Sequence, residues 1–260
     1  MLFDTHVHLN DPSYYDYKKI IADALKENVN KMVVIGYDLN SSKRAVEIAK
    51  EYPFIYASIG IHPSESLLDY EKDLIELEKL ICDKVVSIGE IGLDYHYDNI
   101  DKVRQKDLFI KQLNLANKHK LPIVIHSRDA CNDTYTILKE YKECYKKGIM
   151  HCYSYSKEMA KEFIKLDFLL GIGGVVTYKN AKELKEVVKD IDLKYLVLET
   201  DAPYLSPTPF RGKQNEPQYI KYVASELANI KEISIDEVEN TTYKNACDFF
   251  GSSDLLLNFF

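Results

Sequence analysis

The chain has 260 residues, 46% of them hydrophobic, with 34 Lys and Arg against 41 Asp and Glu and a net charge of −7. Ten glycines and eight prolines exclude a low-complexity or linker-rich chain. No apolar run approaches a membrane span, and the acidic balance argues against a nonspecific nucleic-acid binder, which normally carries a basic face.

Short apolar runs alternate with longer amphipathic segments from end to end. Strands are predicted at Leu2–His6, Lys31–Ile35, Ile55–Ile59, Val85–Ile88, Ile123–His126, Ile149–His151, Phe168–Ile172 and Tyr195–Leu198. Helical patterns lie between them near Tyr17–Lys26, Ser41–Tyr52, Asp69–Cys82, Val103–Lys118, Asn132–Tyr141, Lys157–Lys165, Ala181–Lys189 and Pro217–Ala228. Eight strands, each followed by a helix, is the count of an α/β protein built as a single (β/α)8 TIM barrel. A last segment, Ser234–Phe250, reads as an extra C-terminal helix covering the outside, opened by a capping box of Ser234 and Glu237. With no internal repeat and no linker, residues 1–260 are expected to form one domain. Asn215-Glu216-Pro217 places a capping Asn and an early Pro where a helix should start. Five cysteines (Cys82, Cys131, Cys144, Cys152, Cys247) form no C-x-x-C pair and leave an odd one over. With no signal peptide in evidence, they predict reduced thiols in the cytoplasm.

The first strand sets the chemistry. Phe3, Thr5 and Val7 alternate with Asp4, His6 and His8, so plain alternation puts both imidazoles on one side. A His-x-His pair is a weak signal alone; the positions of the other polar residues strengthen it. Glu90 ends the fourth strand, His126 the fifth and His151 the sixth, and Asp201 follows the eighth. Each could separately be a satisfied strand end or a turn residue. Together they choose the C-terminal rim of a barrel, where such enzymes build their active sites. Four histidines, one glutamate and one aspartate can satisfy two divalent metal ions, with Glu90 giving one oxygen to each.

Around that set, Arg211 offers a guanidinium that pairs bidentately with phosphate, and Asn215 would open a helix whose N-terminus favours anions. Arg128 could contact a second phosphate or pair with Asp129 or Asp94. Glu199 shares the side of Asp201, and roles behind a metal ligand or on an additional metal are both open. His62 stands on the same rim as a phosphate contact, a proton donor to the leaving oxygen, or a simple turn histidine before Pro63. Tyr14, Tyr15, Tyr95 and Tyr97 could stack bases, or form an ordinary tyrosine-rich surface.

The set Thr5-His6-Val7-His8, Gly60-Ile61-His62-Pro63, Gly89-Glu90-Ile91-Gly92-Leu93-Asp94-Tyr95, Ile125-His126-Ser127-Arg128, Met150-His151-Cys152-Tyr153-Ser154, Leu198-Glu199-Thr200-Asp201-Ala202-Pro203-Tyr204 and Arg211-Gly212-Lys213-Gln214-Asn215-Glu216-Pro217 resembles the TatD-type metal-dependent deoxyribonucleases of the amidohydrolase superfamily. The resemblance runs nearly the whole length in order. It implies one metal on His6, His8, Glu90 and Asp201 and another on Glu90, His126 and His151. Tyr153 stands where Phe is common, Tyr155 where Gly is common, and Phe210 where His or Tyr often precedes the Arg. None of the three is a ligand, so the departures bear on substrate preference rather than on metal.

The expected activity is divalent-metal-dependent hydrolysis of DNA phosphodiesters, a 3′→5′ exonuclease by resemblance, using a metal-activated water with Asp201 as general base. Single-stranded DNA ends are the expected substrate, with no membrane and no obligate protein partner. Mg, Mn and Zn all remain open as the metal: four imidazoles favour Zn2+ or Mn2+, whereas the family is usually described with Mg2+. The alternative is a metal-dependent ester or amide hydrolase such as an aminoacyl-ester deacylase. Glu90 in place of the lysine that related amidases carbamylate, together with Arg211, tilts the reading towards phosphate.

Overall fold

In parallel barrels a strand is covered on both faces, so it reads as a continuous apolar run. Met32-Val33-Val34-Ile35 is such a run, and all four residues are fully buried. The computed structural model describes residues 1–251 apart from 15 and 68. Its strands are β1 (Leu2–Val7), β2 (Val29–Ile35), β3 (Ile55–Ile59), β4 (Val85–Asp94), β5 (Ile123–Arg128), β6 (Gly148–Met150), β7 (Phe168–Ile172) and β8 (Leu196–Leu198). They lie in one sheet in sequence order, every neighbouring pair parallel. Helices α1 (Tyr17–Lys26), α2 (Leu39–Glu51), α3 (Tyr70–Glu78), α4 (Lys102–His119), α5 (Cys131–Glu140), α6 (Lys157–Lys165), α7 (Lys182–Asp190) and α8 (Ile220–Lys231) alternate with them, and α9 (Ile235–Phe250) follows. This is the predicted TIM barrel.

The last seam of the barrel is narrow. Val7 and Ala202 form a single parallel bridge. His8 N donates to Ala202 O at 2.8 Å, and Asp201 N donates to His6 O at 2.9 Å. Below them the fully buried Asp4 carboxylate accepts from Thr200 N at 2.9 Å and Thr200 Oγ1 at 2.5 Å. The Thr5 hydroxyl donates to Leu198 O at 3.0 Å. Side-chain hydrogen bonds thus complete a closure that ladder bonds only begin, and they fix the residues on either side of it: His6, His8 and Asp201.

Several boundaries differ from expectation for local reasons. Helix α2 starts two residues early, because Asp38 accepts from Ser41 N while the Ser41 hydroxyl returns to the Asp38 backbone, a reciprocal cap. Ser234 caps α9 by accepting from Glu237 N. A 3-10 turn at Pro217–Tyr219 precedes α8, and Asn215 does not cap it. Strands β4 and β5 run on past their predicted ends to Asp94 and Arg128. Gly92 allows the extension: its φ is +140°, and a Cβ there would sit 2.0 Å from the His126 carbonyl oxygen.

Helix α9 covers the N-terminal end of the barrel rather than its outside. Its Tyr243, Ala246, Cys247, Phe249 and Phe250 form one cluster with Phe3, Val33, Ile35, Tyr56, Ile149 and Val197 from five strands. Only the barrel interior brings those five strands together. Phe3 and His6 therefore both face inwards, three residues apart, which strict alternation forbids; the pairing of β1 with β2 shifts register between Asp4 and Val7 and absorbs the odd residue. None of the five cysteines forms a disulfide. Among the described residues, no helix is long and apolar enough to cross a membrane.

Candidate metal centre

Alternation along β6 and β8 carries the apolar interior directly into the polar mouth. Ile149 and His151 share one side, as do Val197 and Glu199, so each strand changes chemistry in one two-residue step. At that level the side chains converge on Glu90. His6 Nε2 lies 3.6 Å from a Glu90 carboxylate oxygen, His8 Nε2 4.0 Å, His126 Nδ1 3.7 Å and His151 Nε2 3.9 Å. Asp201 Oδ1 is 3.8 Å from His6 Nε2, 3.4 Å from His8 Nε2 and 3.6 Å from His151 Nε2. All six residues predicted as metal ligands are thus brought together in one mouth.

Most of these separations are too long for hydrogen bonds. They match ligand atoms that share a cation, since bonds of about 2.0–2.2 Å place neighbouring donors roughly 3–4 Å apart. Both ring nitrogens of the buried His6 lack a hydrogen-bond partner, a costly state unless something else satisfies them. Ligand atoms of His6, His8 and Glu90 lie within 4.8 Å of one another, as do those of Glu90, His126 and His151. The donor set therefore fits divalent cations.

Charge in the protein alone is arranged to the same end. Burial would raise the Glu90 pKa, but His62, His151, His8 and His126 around it pull it down to about 2. Burial opposes a charged His151, yet Glu199 and Asp201 lift its pKa to about 10. His8 is likewise raised against burial, by Asp201 and Glu90. His6 goes the other way, well below the usual value, through burial and the neighbouring imidazoles. A proton on His151 thus supplies positive charge that a cation would replace.

Three of the four imidazoles are held from behind. His8 Nδ1 lies 3.2 Å from Ile35 O, and His126 Nε2 lies 3.1 Å from Asp94 Oδ2. His151 Nδ1 lies 3.0 Å from Glu199 Oε1, which also accepts from Cys152 N. Sequence reasoning named Asp94 only as a possible partner of Arg128 and passed over Asp4. The signal for Asp94 was present: Glu90, Gly92 and Asp94 alternate along one strand.

The remaining predicted residues divide. His62 sits at the mouth, its ring 4.3 Å from that of His126 between centroids, and its Nδ1 accepts from Ser64 N at 3.1 Å. Burial and His126 push its pKa down to about 3. Arg211 is exposed, its guanidinium carbon 4.4 Å from the Tyr178 ring centroid. Arg128, also exposed, lies 5.9 Å from the Tyr97 centroid. It pairs with neither proposed carboxylate: Asp129 engages His96, and Asp94 engages His126.

Asn215 and Glu199 are both fully buried. The Asn215 amide donates to Thr200 O at 2.8 Å and Tyr204 O at 2.6 Å while its Oδ1 accepts from Glu216 N. It braces the loop after β8 and presents nothing to a ligand. Glu199 lies behind His151, and its carboxylate also falls within 4.8 Å of ring nitrogens of both His6 and His151, so the two roles left open for it both keep a geometric basis. Tyr14 is buried with its hydroxyl on Asn215 O, and one face of Tyr95 carries Lys102 at 4.2 Å. Tyr97 is 60% exposed, and Tyr15 lies outside the described residues.

The chain is similar to known metal-dependent hydrolases. A family model described as "TatD related DNase" matches residues 3–251. The uncharacterized metal-dependent hydrolase YabD of Bacillus subtilis is 49% identical over 252 residues, covering 96% of this chain and 99% of that protein. A crystal structure of YjjV, a TatD homologue from Escherichia coli K12, superposes with a TM-score of 0.92 at 30% identity, over 96% of this chain and 98% of that one. A TatD-family hydrolase from Entamoeba histolytica gives a TM-score of 0.85 at 27% identity, over 95% and 97%. The chain belongs to the TatD-related DNase family of metal-dependent hydrolases.

Proposed function

We propose that this barrel, acting as one domain over residues 1–260, is a DNA phosphodiesterase that removes nucleotides from single-stranded 3′ ends. The observation that carries the reading is the convergence of four imidazoles on Glu90, with Asp201 shared among three of them. Two divalent ions held by His6, His8, Glu90 and Asp201, and by Glu90, His126 and His151, would neutralise phosphate charge and bring the pKa of water towards neutrality.

The chain's own residues do the rest. Asp201 is 14% exposed and faces the mouth; there it accepts the proton of the attacking water. Because His62 Nδ1 accepts from Ser64 N, its neutral form carries the proton on Nε2. With its pKa near 3 the ring is neutral at physiological pH. It therefore serves better as a hydrogen-bond donor to a phosphate oxygen than as a cationic acid. Arg211 and Arg128, exposed and resting on tyrosine rings, are free to take phosphates bidentately, and Tyr97 offers a face for a base.

The test is a metal-replenished assay on end-labelled single-stranded DNA, with ester and amide substrates in parallel. Stepwise loss of 3′ nucleotides under Mg2+, Mn2+ or Zn2+ is expected. DNA left intact under every metal, with an aminoacyl ester rapidly cleaved, would transfer the function to the ester hydrolase reading.

A further inference from the structure

We infer that the two metal positions are unequal, and that the one formed by Glu90, His126 and His151 binds more tightly and fills first. This rests on the two-metal reading above. Its basis is what stands behind each imidazole. His126 points Nδ1 at Glu90 and backs Nε2 onto the Asp94 carboxylate, 3.1 Å away. His151 points Nε2 at Glu90 and Asp201 and has Nδ1 3.0 Å from the Glu199 carboxylate, an ion-pair contact rather than an aligned hydrogen bond. A carboxylate on the distal N–H fixes the tautomer, orients the ring and makes the metal-facing nitrogen more basic.

The other position lacks this support. His8 is backed by the Ile35 carbonyl, a neutral acceptor, at 3.2 Å. His6 Nδ1, like His151 Nδ1, has no hydrogen-bond partner, but no carboxylate stands in ion-pair range behind it as Glu199 stands behind His151. Asp201 does not reverse the difference, because its Oδ1 lies as near to His151 as to His6 and so serves both positions.

Both backing carboxylates occupy built sites. Asp94 is 4% exposed; its Oδ1 accepts from His96 N at 3.0 Å, which leaves Oδ2 for His126. Glu199 is fully buried, anchored by Cys152 N at 2.6 Å, and a Cβ on Gly171 would come within 2.3 Å of its Oε2. The glycine leaves the space that Glu199 fills. Asp94 and Glu199 are positioning residues: they act on the metal through a ring.

The experiment titrates the metal-free full chain with Mn2+ alone and counts bound ions. Two classes are expected, one ion per chain each, at least about tenfold apart in affinity. Asp94→Asn and Glu199→Gln should each weaken the tight class by about 10- to 100-fold and leave the weak class in place. His8→Ala should remove the weak class and leave the tight one. A melt of each metal-free variant verifies folding; if Glu199→Gln fails to fold, the wild-type titration, Asp94→Asn and His8→Ala still decide. Two equal classes, a tight class indifferent to Asp94→Asn, or its loss in His8→Ala would each overturn the inequality while sparing the metal centre. No Mn2+ bound at all would remove the centre and the inequality together.

Discussion

The two ends of the barrel interior are built from the same strands and do opposite things. At the N-terminal end Phe3, Tyr56, Ile149 and Val197 meet Tyr243, Phe249 and Phe250 of α9 in a mostly apolar plug, where the Tyr56 hydroxyl alone of these lacks a hydrogen-bond partner. Its buried cation, Lys31, is accommodated by Cys247 Sγ at 3.3 Å and by the Phe3 and Tyr243 rings at 5.9 and 5.4 Å. At the C-terminal end, one step along β6 and β8, His151 and Glu199 replace Ile149 and Val197. There buried atoms of His6, His151 and Glu199 stand without hydrogen-bond partners. The plug stabilises the fold; the mouth carries the chemistry.

Asp201→Asn should lower turnover on the metal-loaded chain by about 10²- to 10⁴-fold, the range for a lost general base, with the metal-free chain still folded by circular dichroism. Retained turnover would remove Asp201 from the reaction. At the other end, Phe3→Ala should lower unfolding free energy by about 3–5 kcal/mol, read by urea denaturation, with bound metal per folded chain unaltered. A metal count that fell with Phe3 would show the two ends to be one energetic unit.

How far each end can be read from sequence differs too. The barrel was legible because strands buried on both faces appear as uninterrupted apolar runs such as Met32–Ile35. The converging ligands were legible because each closes a different run. Less legible was what depends on register or on contacts between distant segments. Phe3 and His6 face the same side only because β1 slips against β2. Asp94 was read only against Arg128 because Gly89 and Gly92 resemble a turn, whereas the strand continues through them. Asn215, flanked by Glu216 and Pro217, has the local chemistry of a cap, and only the fold shows its amide spent on Thr200 and Tyr204.

Metal sharpens the contrast further. Mn2+ at about 100 times its Kd should stabilise the chain by roughly 2.7 kcal/mol, seen as a rise in Tm, and Glu90→Gln should abolish most of that rise. The effect depends on pH with a definite sign. His151, with its pKa raised to about 10, contributes stability to the metal-free chain that is full below about 6.5 and lost as pH rises through about 10. A cation must displace that proton, so the metal-induced rise in Tm should grow from pH 6 towards pH 9. A rise independent of pH would mean that His151 is not a ligand.

The smallest expected effect lies at the seam between the two ends. Burial lifts the Asp4 pKa to about 8 against the hydrogen bonds from Thr200 and His6 that favour its charge, and Glu199 nearby raises it further. A carboxyl raised in the folded state is fully compatible with folding below its unfolded pKa, about 3.9. It becomes a growing liability as pH climbs towards 8, because the unfolded chain releases the proton first. Asp4→Asn removes the titration and keeps an acceptor for Thr200. The difference in Tm between variant and wild type should therefore shift in the variant's favour between pH 5 and pH 8 and level off above. A difference flat across that range would mean that Asp4 holds its charge within the fold, with the seam between β1 and the loop after β8 carrying an anion beneath His6.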